Sequence, residues 1–335
     1  MPVDVLGAGL AGQVAALALG QTGQTVRLWG RADSAPSRAV ALSAPSIRYL
    51  SSLCPAVTQL GAPIESIHVS RQGRLGRTLL QASDHQQANF GRVIANDALS
   101  DALDQCLSCE RIDERVETLK PSWQVNGRAS EFVVLAAAAP TLLHQAGIAY
   151  SQPQMSGQLW AAVARGCDTQ TAYERFTASG PLAVLPMGQG RASVVWQVDE
   201  PVSDIRQVNA ALGWRVSLQS IEHESLMPIR LHRSHQLARP GLAVVGNASQ
   251  FMHPVAGQGF NLILRQIQRL ICNLGQDLAP FNRDALADQA IWFKTTQTLA
   301  QVFQPDWPLQ GLALSSLEAS HRLQADFVTR FMEGA

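Results

Sequence analysis

The feature that most constrains the fold of this chain is a glycine pattern near its N-terminus, Gly7-x-Gly9-x-x-Gly12. It follows an apolar segment, residues 3–6, which predicts a buried strand, and it precedes an Ala- and Leu-rich stretch that predicts a helix. In such a turn the first glycine permits the tight bend, the second lets a pyrophosphate approach the backbone, and the third lets the helix pack on the strand. A second strand is predicted over 25–29. The sequence therefore predicts a βαβ unit that binds a dinucleotide.

The composition excludes two classes of protein. Apolar residues make up 46% of the 335 residues, and 26 basic residues are matched by 26 acidic ones. A disordered chain would have fewer apolar groups and a large net charge, whereas a nucleic-acid-binding protein would have a basic surplus. No apolar run reaches the ~18 residues of a membrane-spanning helix, and the N-terminus has no signal-peptide pattern. We therefore expect a folded protein of the cell interior that does not bind nucleic acid.

The cysteines and histidines do not form a metal-binding pattern. The chain has five cysteines, and Cys106 and Cys109 form a single C-x-x-C without a second pair at zinc-site spacing. His232 and His235 lie in a polar segment that has no acidic or cysteine neighbour. We therefore expect reduced thiols and no metal site.

A second glycine-rich region follows an apolar segment, 242–245, that predicts another buried strand. It begins at Gly246-Asn247 and continues through His253 and Pro254 into Gly257-Gln258-Gly259-Phe260-Asn261, after which a helix is predicted over 260–274. A loop of this kind presents backbone N–H groups at the start of a helix, where they can bind the carbonyl edge of a flat ring.

The order of predicted elements divides the chain into four parts. The first part of a nucleotide-binding domain covers 1–150 and contains inserted strands at about 62–82. A β-rich substrate domain covers 151–235, the nucleotide-binding domain returns over 236–280, and a helical region covers 281–335. The predicted fold class is α/β, a Rossmann-like domain with an inserted β-sheet domain and a helical C-terminus.

Several motifs resemble those of the FAD-dependent aromatic hydroxylases of ubiquinone biosynthesis, which share the p-hydroxybenzoate hydroxylase fold. They are Arg38-Ala39-Val40-Ala41-Leu42-Ser43, Phe90-Gly91-Arg92-Val93-Ile94, and Tyr173-Glu174-Arg175-Phe176-Thr177 with the following Gly180–Met187. Ile67-His68-Val69-Ser70 and Gly246-Asn247 are similar to the 2-polyprenyl-6-methoxyphenol hydroxylase subgroup.

The resemblance implies a monooxygenase that uses FAD, NADH or NADPH, and dioxygen, without a metal. In that family a flavin C4a-hydroperoxide transfers oxygen to an electron-rich phenol, here a polyprenylated methoxyphenol. A substrate with a lipid tail suits peripheral contact with the inner membrane face. Contacts with other ubiquinone-pathway proteins and self-association as a homo-oligomer remain open.

The resemblance also implies roles for individual residues. Gly7, Gly9 and Gly12 would bind the adenosine pyrophosphate, Arg38 would contact the phosphates, and Arg92 would lie on the flavin side of the site. Asn247 would meet the ribityl or pyrophosphate region. The residues expected around the flavin ring are Pro254, Gly257, Gln258, Gly259 and Asn261. Pro254 and His253 are the candidate catalytic residues, since most of the chemistry belongs to the flavin.

Two departures from the family pattern support an alternative. Gly30 stands where an acidic residue is expected at the end of the second strand, and Ala136-Ala137-Ala138-Ala139-Pro140 replaces an Ala-Asp-Gly segment. Losing each such hydrogen-bond acceptor would weaken cofactor binding by on the order of 1–3 kcal/mol. The alternative is a catalytically degenerate member that acts as a scaffold or accessory protein of a quinone-biosynthesis complex. A plain NAD-dependent dehydrogenase would leave the second glycine-rich region unexplained.

Overall fold

The computed structural model describes residues 2–31, 38–73, 77–167, 169–253 and 257–302. The candidate residue Pro254 and most of the predicted C-terminal helical region lie outside these residues.

The described residues form many short strands and eight α-helices. In chain order, the strands are β1 (Val3–Leu6), β2 (Val26–Trp29), β3 (Ala39–Ser43), β4 (Ala62–Pro63), β5 (Ser66–Arg71), β6 (Arg77–Gln81), β7 (Gly91–Ala95), β8 (Glu110–Ile112), β9 (Leu119–Lys120), β10 (Gln124–Val125), β11 (Arg128–Ala129), β12 (Phe132–Leu135), β13 (Tyr150–Ser151), β14 (Gln154–Arg165), β15 (Thr171–Phe176), β16 (Pro181–Gly188), β17 (Arg191–Val198), β18 (Ser220–Arg230), β19 (His232–Ser234), β20 (Ala238–Arg239), β21 (Leu242–Val244) and β22 (Gln250–Phe251). The helices are α1 (Leu10–Gln21), α2 (Ala44–Leu53), α3 (Asn96–Cys106), α4 (Pro140–Gln145), α5 (Ile205–Leu212), α6 (Gly246–Ser249), α7 (Gly259–Cys272) and α8 (Ala279–Val302).

The first large sheet is Rossmann-like and has the strand order β20-β21-β12-β1-β2-β8. Neighbouring strands from β21 to β8 are parallel, and only the edge strand β20 is antiparallel. Every residue of β1, β2 and β21 is buried. Burial on both faces is typical of a parallel sheet, and it explains why these strands are apolar in sequence apart from Asp4 and Arg27, which pair with each other. The predicted strands at 3–6, 25–29 and 242–245 lie in this sheet.

The second large sheet has seven strands in the order β18-β14-β17-β16-β15-β5-β6. Neighbouring strands are antiparallel except for β5 and β15, which are parallel. The strands β5 and β6 come from the first part of the chain and extend the sheet formed by β14 to β18. One face packs on α5, where Trp160, Leu182 and Trp196 join Val208 and Leu212 in one apolar cluster.

The structure corrects the prediction that all cysteines are reduced, since Cys54 and Cys106 form a disulfide. Cys54 is the C-cap of α2 and Cys106 is the last residue of α3. Packing of the fold brings their Cα atoms to 5.8 Å across a separation of 52 residues, which the sequence did not reveal. Disulfides persist in oxidising compartments, so the cysteine content gives no support to the predicted location in the cell interior. Cys109, the other half of the C-x-x-C pair, is free.

Among the residues that the structure describes, no helix combines the length and apolarity needed to cross a bilayer. The same residues contain no group of three or more metal-binding side chains.

Candidate cofactor-binding site

The first glycine turn connects β1 to α1 and leaves the start of the helix open. Gly9 is the N-cap of α1, no side chain caps the helix, and no acidic residue lies in its first turn. A Cβ atom built on Gly9 would have no neighbour within 4 Å, whereas one built on Gly12 would collide with the carbonyl oxygen of Gly7. Gly7 itself has a φ of +114°, which favours glycine. The geometry therefore provides a helix N-terminus with free N–H groups and room for an anion beside Gly9.

The turn after β21 lies directly against the first turn of α1. Gly246 has a φ of +63°, and a Cβ atom built on it would lie 2.8 Å from the Cβ of Ala11 and 2.9 Å from the carbonyl oxygen of Ala136. The next residue, Asn247, is exposed on α6. The two glycine-rich regions, more than 230 residues apart in the chain, are thus neighbours in the fold.

The start of α7 is a second helix N-terminus without a side-chain cap. Its N-cap is Gln258, and its first turn contains no acidic residue. A Cβ atom built on Gly259 would have no neighbour within 4 Å, and one built on Gly257 would lie 3.4 Å from the Cβ of Ala41. The helix therefore begins beside β3 and has open space at Gly259.

Asn261 connects this loop to β3. Its Oδ1 accepts a hydrogen bond from the backbone N–H of Ser43 at 3.0 Å, and its Nδ2 donates to the carbonyl oxygen of Ala41 at 3.0 Å. Nδ2 also lies 3.4 Å from the carbonyl oxygen of Gly257. With 5% exposure, the Asn261 side chain is used to hold the loop against β3. The resemblance places this residue at the flavin ring, and the structure shows it bonded within the protein.

The two candidate arginines lie at a small sheet, Arg38 immediately before β3 and Arg92 within the neighbouring strand β7. Arg38 precedes β3 and its carbonyl oxygen accepts a hydrogen bond from the N–H of Asn96 at 3.1 Å. Arg92 lies on β7, paired in register with Leu42, and donates from Nη2 to the carbonyl oxygen of Gly61 at 2.8 Å. Both are therefore close in the fold to the strand that Asn261 fixes.

His253 links the region before α7 to the seven-stranded sheet. Its Nε2 lies 2.9 Å from Oε1 of Gln197 on β17. Burial lowers the pKa of His253 to about 4, so the imidazole is neutral at pH 7 and can donate this hydrogen bond. Sequence analysis did not identify Gln197, because only the fold brings β17 next to this loop.

The residues that replace the expected carboxylates lie at the first glycine turn. A Cβ atom built on Gly30 would lie 3.6 Å from the backbone nitrogen of Ala8, and one built on Gly7 would lie 2.7 Å from the Cβ of Ala137. Gly30 also has a φ of +100°, which disfavours an acidic residue at that position. The residues present thus fit a dinucleotide through backbone N–H groups and open glycines, with fewer side-chain acceptors than the family pattern has.

The face of the seven-stranded sheet opposite α5 contains residues that sequence analysis did not assign to a site. Glu174, Ala183 and Val195 are neighbours across β15, β16 and β17, and all three are half-buried. The signal for Glu174 was its place in the Tyr173–Thr177 motif, but the motif does not reveal which way each side chain points.

Solved structures establish the class of fold. The chain is similar to p-nitrophenol 4-monooxygenase PnpA from Pseudomonas putida DLL-E4, with a TM-score of 0.75 and 14% identity over 99% of this chain and 97% of that one. It is also similar to OxyS anhydrotetracycline hydroxylase from Streptomyces rimosus, with a TM-score of 0.71 and 17% identity over 99% of this chain and 75% of that one. The predicted fold, that of the FAD-dependent aromatic hydroxylases, is confirmed.

Sequence relatives narrow the class. The chain is 26% identical to 3-demethoxyubiquinol 3-hydroxylase of Escherichia coli K12 over 313 residues, which cover 80% of this chain and 78% of the relative. It is 30% identical to ubiquinone hydroxylase UbiL of Rhodospirillum rubrum over 42% of this chain and 38% of the relative. It is 37% identical to an uncharacterized protein of Synechocystis over 29% of this chain and 26% of the relative.

The match therefore spans less than two-fifths of two of these relatives and more than three-quarters of the third. No protein-family model matches the chain. These relatives confirm the resemblance to the ubiquinone-biosynthesis hydroxylases that the motifs indicate. Membership of the 2-polyprenyl-6-methoxyphenol hydroxylase subgroup stays a prediction.

Proposed function

We propose that this protein is an FAD-dependent monooxygenase that hydroxylates a polyprenylated methoxyphenol in ubiquinone biosynthesis. The observation that carries the proposal is a pair of uncapped helix N-termini on two helices that pack against each other: α1 begins against the turn at Gly246, and α7 begins beside β3. Each has a glycine with open space where a side chain would stand, at Gly9 and Gly259. The names of the sequence relatives and the fold of the flavin-dependent hydroxylases support the same reading.

The open helix ends suit the two halves of FAD. The N–H groups at the start of α1 would hold the pyrophosphate beside Gly7, Gly9 and Gly12, because an anion is stabilised at a helix N-terminus. Those at Gly257, Gln258 and Gly259 would bind the carbonyl edge of the flavin ring. When bound and reduced by NADH or NADPH, the flavin supplies activated oxygen for transfer to a phenol ring.

The chain's other residues would shape the site and exclude water from it. Asn261 would position the loop that borders the ring through its bonds to β3. His253, which is neutral and hydrogen-bonded to Gln197, would fix this loop against the seven-stranded sheet, with its Nε2 proton donated to Gln197. The apolar, half-buried side chains Ala183 and Val195 would border the phenol ring.

A second candidate function is an accessory protein of a quinone-biosynthesis complex without catalysis. Gly30 and Ala137 favour it, because both lie at the first glycine turn without a carboxylate for the cofactor. The two candidates differ in whether FAD binds with an affinity adequate for turnover, so cofactor binding decides between them.

The experiment is a titration of the purified protein with FAD, followed by its flavin absorbance. We expect a yellow protein, and we expect Gly9→Val to weaken FAD binding at least tenfold by filling the space beside the helix N-terminus. Gly20→Val is the matched control, because a Cβ at Gly20, also in α1, has no neighbour within 4 Å and lies at the opposite end of the helix.

A colourless protein that ignores added FAD would favour the accessory role. Equal FAD affinity in Gly9→Val and the unmodified protein would refute the assignment of the first glycine turn. Deleting the gene and extracting lipids should then reveal an accumulating polyprenyl phenol if the enzyme reading is correct.

A further inference from the structure

The half-buried face of the seven-stranded sheet is bordered on two sides by apolar contacts. At one border, Ile67 and Leu185 pack in a cluster with Phe90 and Val93 near β7. At the other border, Leu159 packs in a cluster with buried residues of β18, α7 and α8. Between the two borders, Glu174, Ala183 and Val195 are half-buried, and we call these three residues the half-buried face.

The half-buried face lies on the side of the sheet that contacts the segment just before the predicted flavin loop. Gln197 lies on β17 two residues after Val195, so it projects from the same face, and it bonds to His253 just before that loop. Strands in a sheet are about 4.8 Å apart, which places β15 about 10 Å from β17. That width accommodates one aromatic ring between Glu174 and Gln197.

Glu174 is the acidic member of this face. Its Oε1 is inaccessible to solvent and has no hydrogen-bond partner among the residues that the structure describes. The next residue, Arg175, points to the opposite face, where its Nε donates to the carbonyl oxygen of Ala211 at 2.6 Å and its Nη1 to Oγ of Ser70 at 3.2 Å. Arg71 of β5 is in register with Phe176 of β15, so it lies on the same face of the sheet as Glu174, two residues before Phe176.

A buried carboxyl group without a hydrogen-bond donor is unfavourable unless a bound ligand supplies that donor. Burial raises the pKa of Glu174 to about 7. A phenol hydroxyl supplies the missing donor and brings an apolar ring that suits Ala183 and Val195. A ring with its own carboxylate would instead bring a second negative charge next to Glu174, whose own ionisation is already disfavoured by burial.

We propose that Glu174 is the specificity-determining residue of the substrate site, accepting the hydrogen bond of an uncharged phenol and rejecting aromatic carboxylates. This inference rests on the proposed function for the direction in which the ring lies. It names a residue and a substrate class: phenols without an acidic substituent, such as decarboxylated and prenylated methoxyphenols.

The test is isothermal titration of the FAD-supplemented protein with two probes, 2-methoxy-6-prenylphenol and its 4-carboxylated analogue. The pH is set to about 8, where a carboxyl is ionised and a phenol, with a pKa of ~10, is not. We expect the unmodified protein to bind the uncharged probe at least tenfold more tightly than the carboxylated one. Glu174→Leu should weaken binding of the uncharged probe about tenfold. Glu174→Gln should bind the uncharged probe as tightly as the unmodified protein does, and the ratio between its affinities for the two probes should be smaller.

Glu65→Gln is the matched control, because Glu65 is an exposed acid immediately before β5 of the same sheet. It should leave both affinities unchanged. If Glu174→Leu fails to fold, the Glu174→Gln variant, which keeps the shape of the side chain, still decides the result through its discrimination between probes.

The outcomes separate this inference from the proposed function, because the FAD content of each sample is read by absorbance. Equal binding of the uncharged probe to Glu174→Leu, with FAD retained, would overturn the inference alone. Absence of probe binding to the unmodified protein, or a carboxylated probe that binds as tightly as the uncharged one, would also overturn it. If the protein holds no FAD but still discriminates between the two probes through Glu174, the result would support the inference and refute the proposed monooxygenase function.

Discussion

At the scale of single residues, the site depends on side chains whose roles are fixed by neighbours distant in the sequence. Asn261 was predicted to line the flavin, and the structure shows that both ends of its amide bond the backbone of β3, at Ser43 and Ala41. A short polar side chain next to glycines is typical of a ligand contact, but here it positions the loop. The sequence indicates that the residue belongs to the site and does not reveal which partner it contacts.

Replacing Asn261 should therefore affect the fold as well as cofactor binding. Asn261→Ala leaves the N–H of Ser43 and the carbonyl of Ala41 buried without partners, so the free energy of unfolding should fall by about 1–3 kcal/mol. Asn247→Ala, at an exposed position of the other glycine-rich region, should change it by less than about 0.5 kcal/mol. Urea unfolding measures both, and equal stability of the two variants would show that the Asn261 bonds contribute nothing.

Glu174 should leave a signature in the pH dependence of stability. Its pKa is raised to about 7 in the fold and is near its ordinary value of about 4.3 in the unfolded chain. The neutral acid therefore favours the fold, and this stability is complete below pH ~4.3 and lost as the pH rises through ~7. Between these pH limits the free energy of unfolding of the unmodified protein should fall by about 1–3 kcal/mol relative to that of Glu174→Gln. This range is reduced because the residue is partly exposed.

Urea titrations of both proteins at several pH values measure this difference. A difference in unfolding free energy that stays constant from acid to neutral pH would show that the Glu174 carboxyl is not desolvated in the fold.

At the scale of elements, the strands β1 and β2 are joined by a polar network within an apolar sheet. Asp4 is fully buried and accepts hydrogen bonds from Arg27 at 2.7 and 2.6 Å and from Nε1 of Trp29 at 2.5 Å. An acidic residue in a buried strand is costly unless each oxygen is bonded. The network thus fixes the register of the strands that lead into the first glycine turn.

Asp4→Ala should be strongly destabilising, because it leaves the guanidinium of Arg27 buried without its carboxylate partner. We expect a loss of about 3–5 kcal/mol in the free energy of unfolding. The matched control is Asp113→Ala, which breaks the exposed ion pair with Arg31 and should cost about 0–1 kcal/mol. Similar urea midpoints for the two variants would contradict the importance assigned to the buried network.

The elements also show what the sequence could predict. The strands β1, β2 and β21 and the helices α1 and α7 were predicted within a few residues, because buried apolar runs and glycine turns mark them directly. The two-residue strands β9, β10 and β11 were not predicted, since two residues carry no periodicity. The long strands β14 and β18 were not predicted individually. The second half of β14 is a run of five buried residues without alternation, and β18, the edge strand, contains many polar residues.

At the scale of the whole molecule, the sequence predicted the class of fold and the two glycine-rich regions, and the solved structures confirm that fold. It did not predict the disulfide between α2 and α3 or the half-buried face of the sheet, because each depends on how elements pack. It did predict the central claim, through the two glycine-rich regions and the family resemblance: the N-termini of α1 and α7 would hold opposite halves of one cofactor.

The most direct test is to titrate two glycine variants with FAD and with ADP, which contains only the adenosine pyrophosphate half. Gly9→Val should weaken both ligands at least tenfold, because it fills the space at α1. Gly259→Val, at the start of α7, should weaken FAD and leave ADP binding unchanged. If Gly259→Val binds FAD as the unmodified protein does, or if it weakens ADP as much as FAD, the two helix ends do not share one coenzyme in this way.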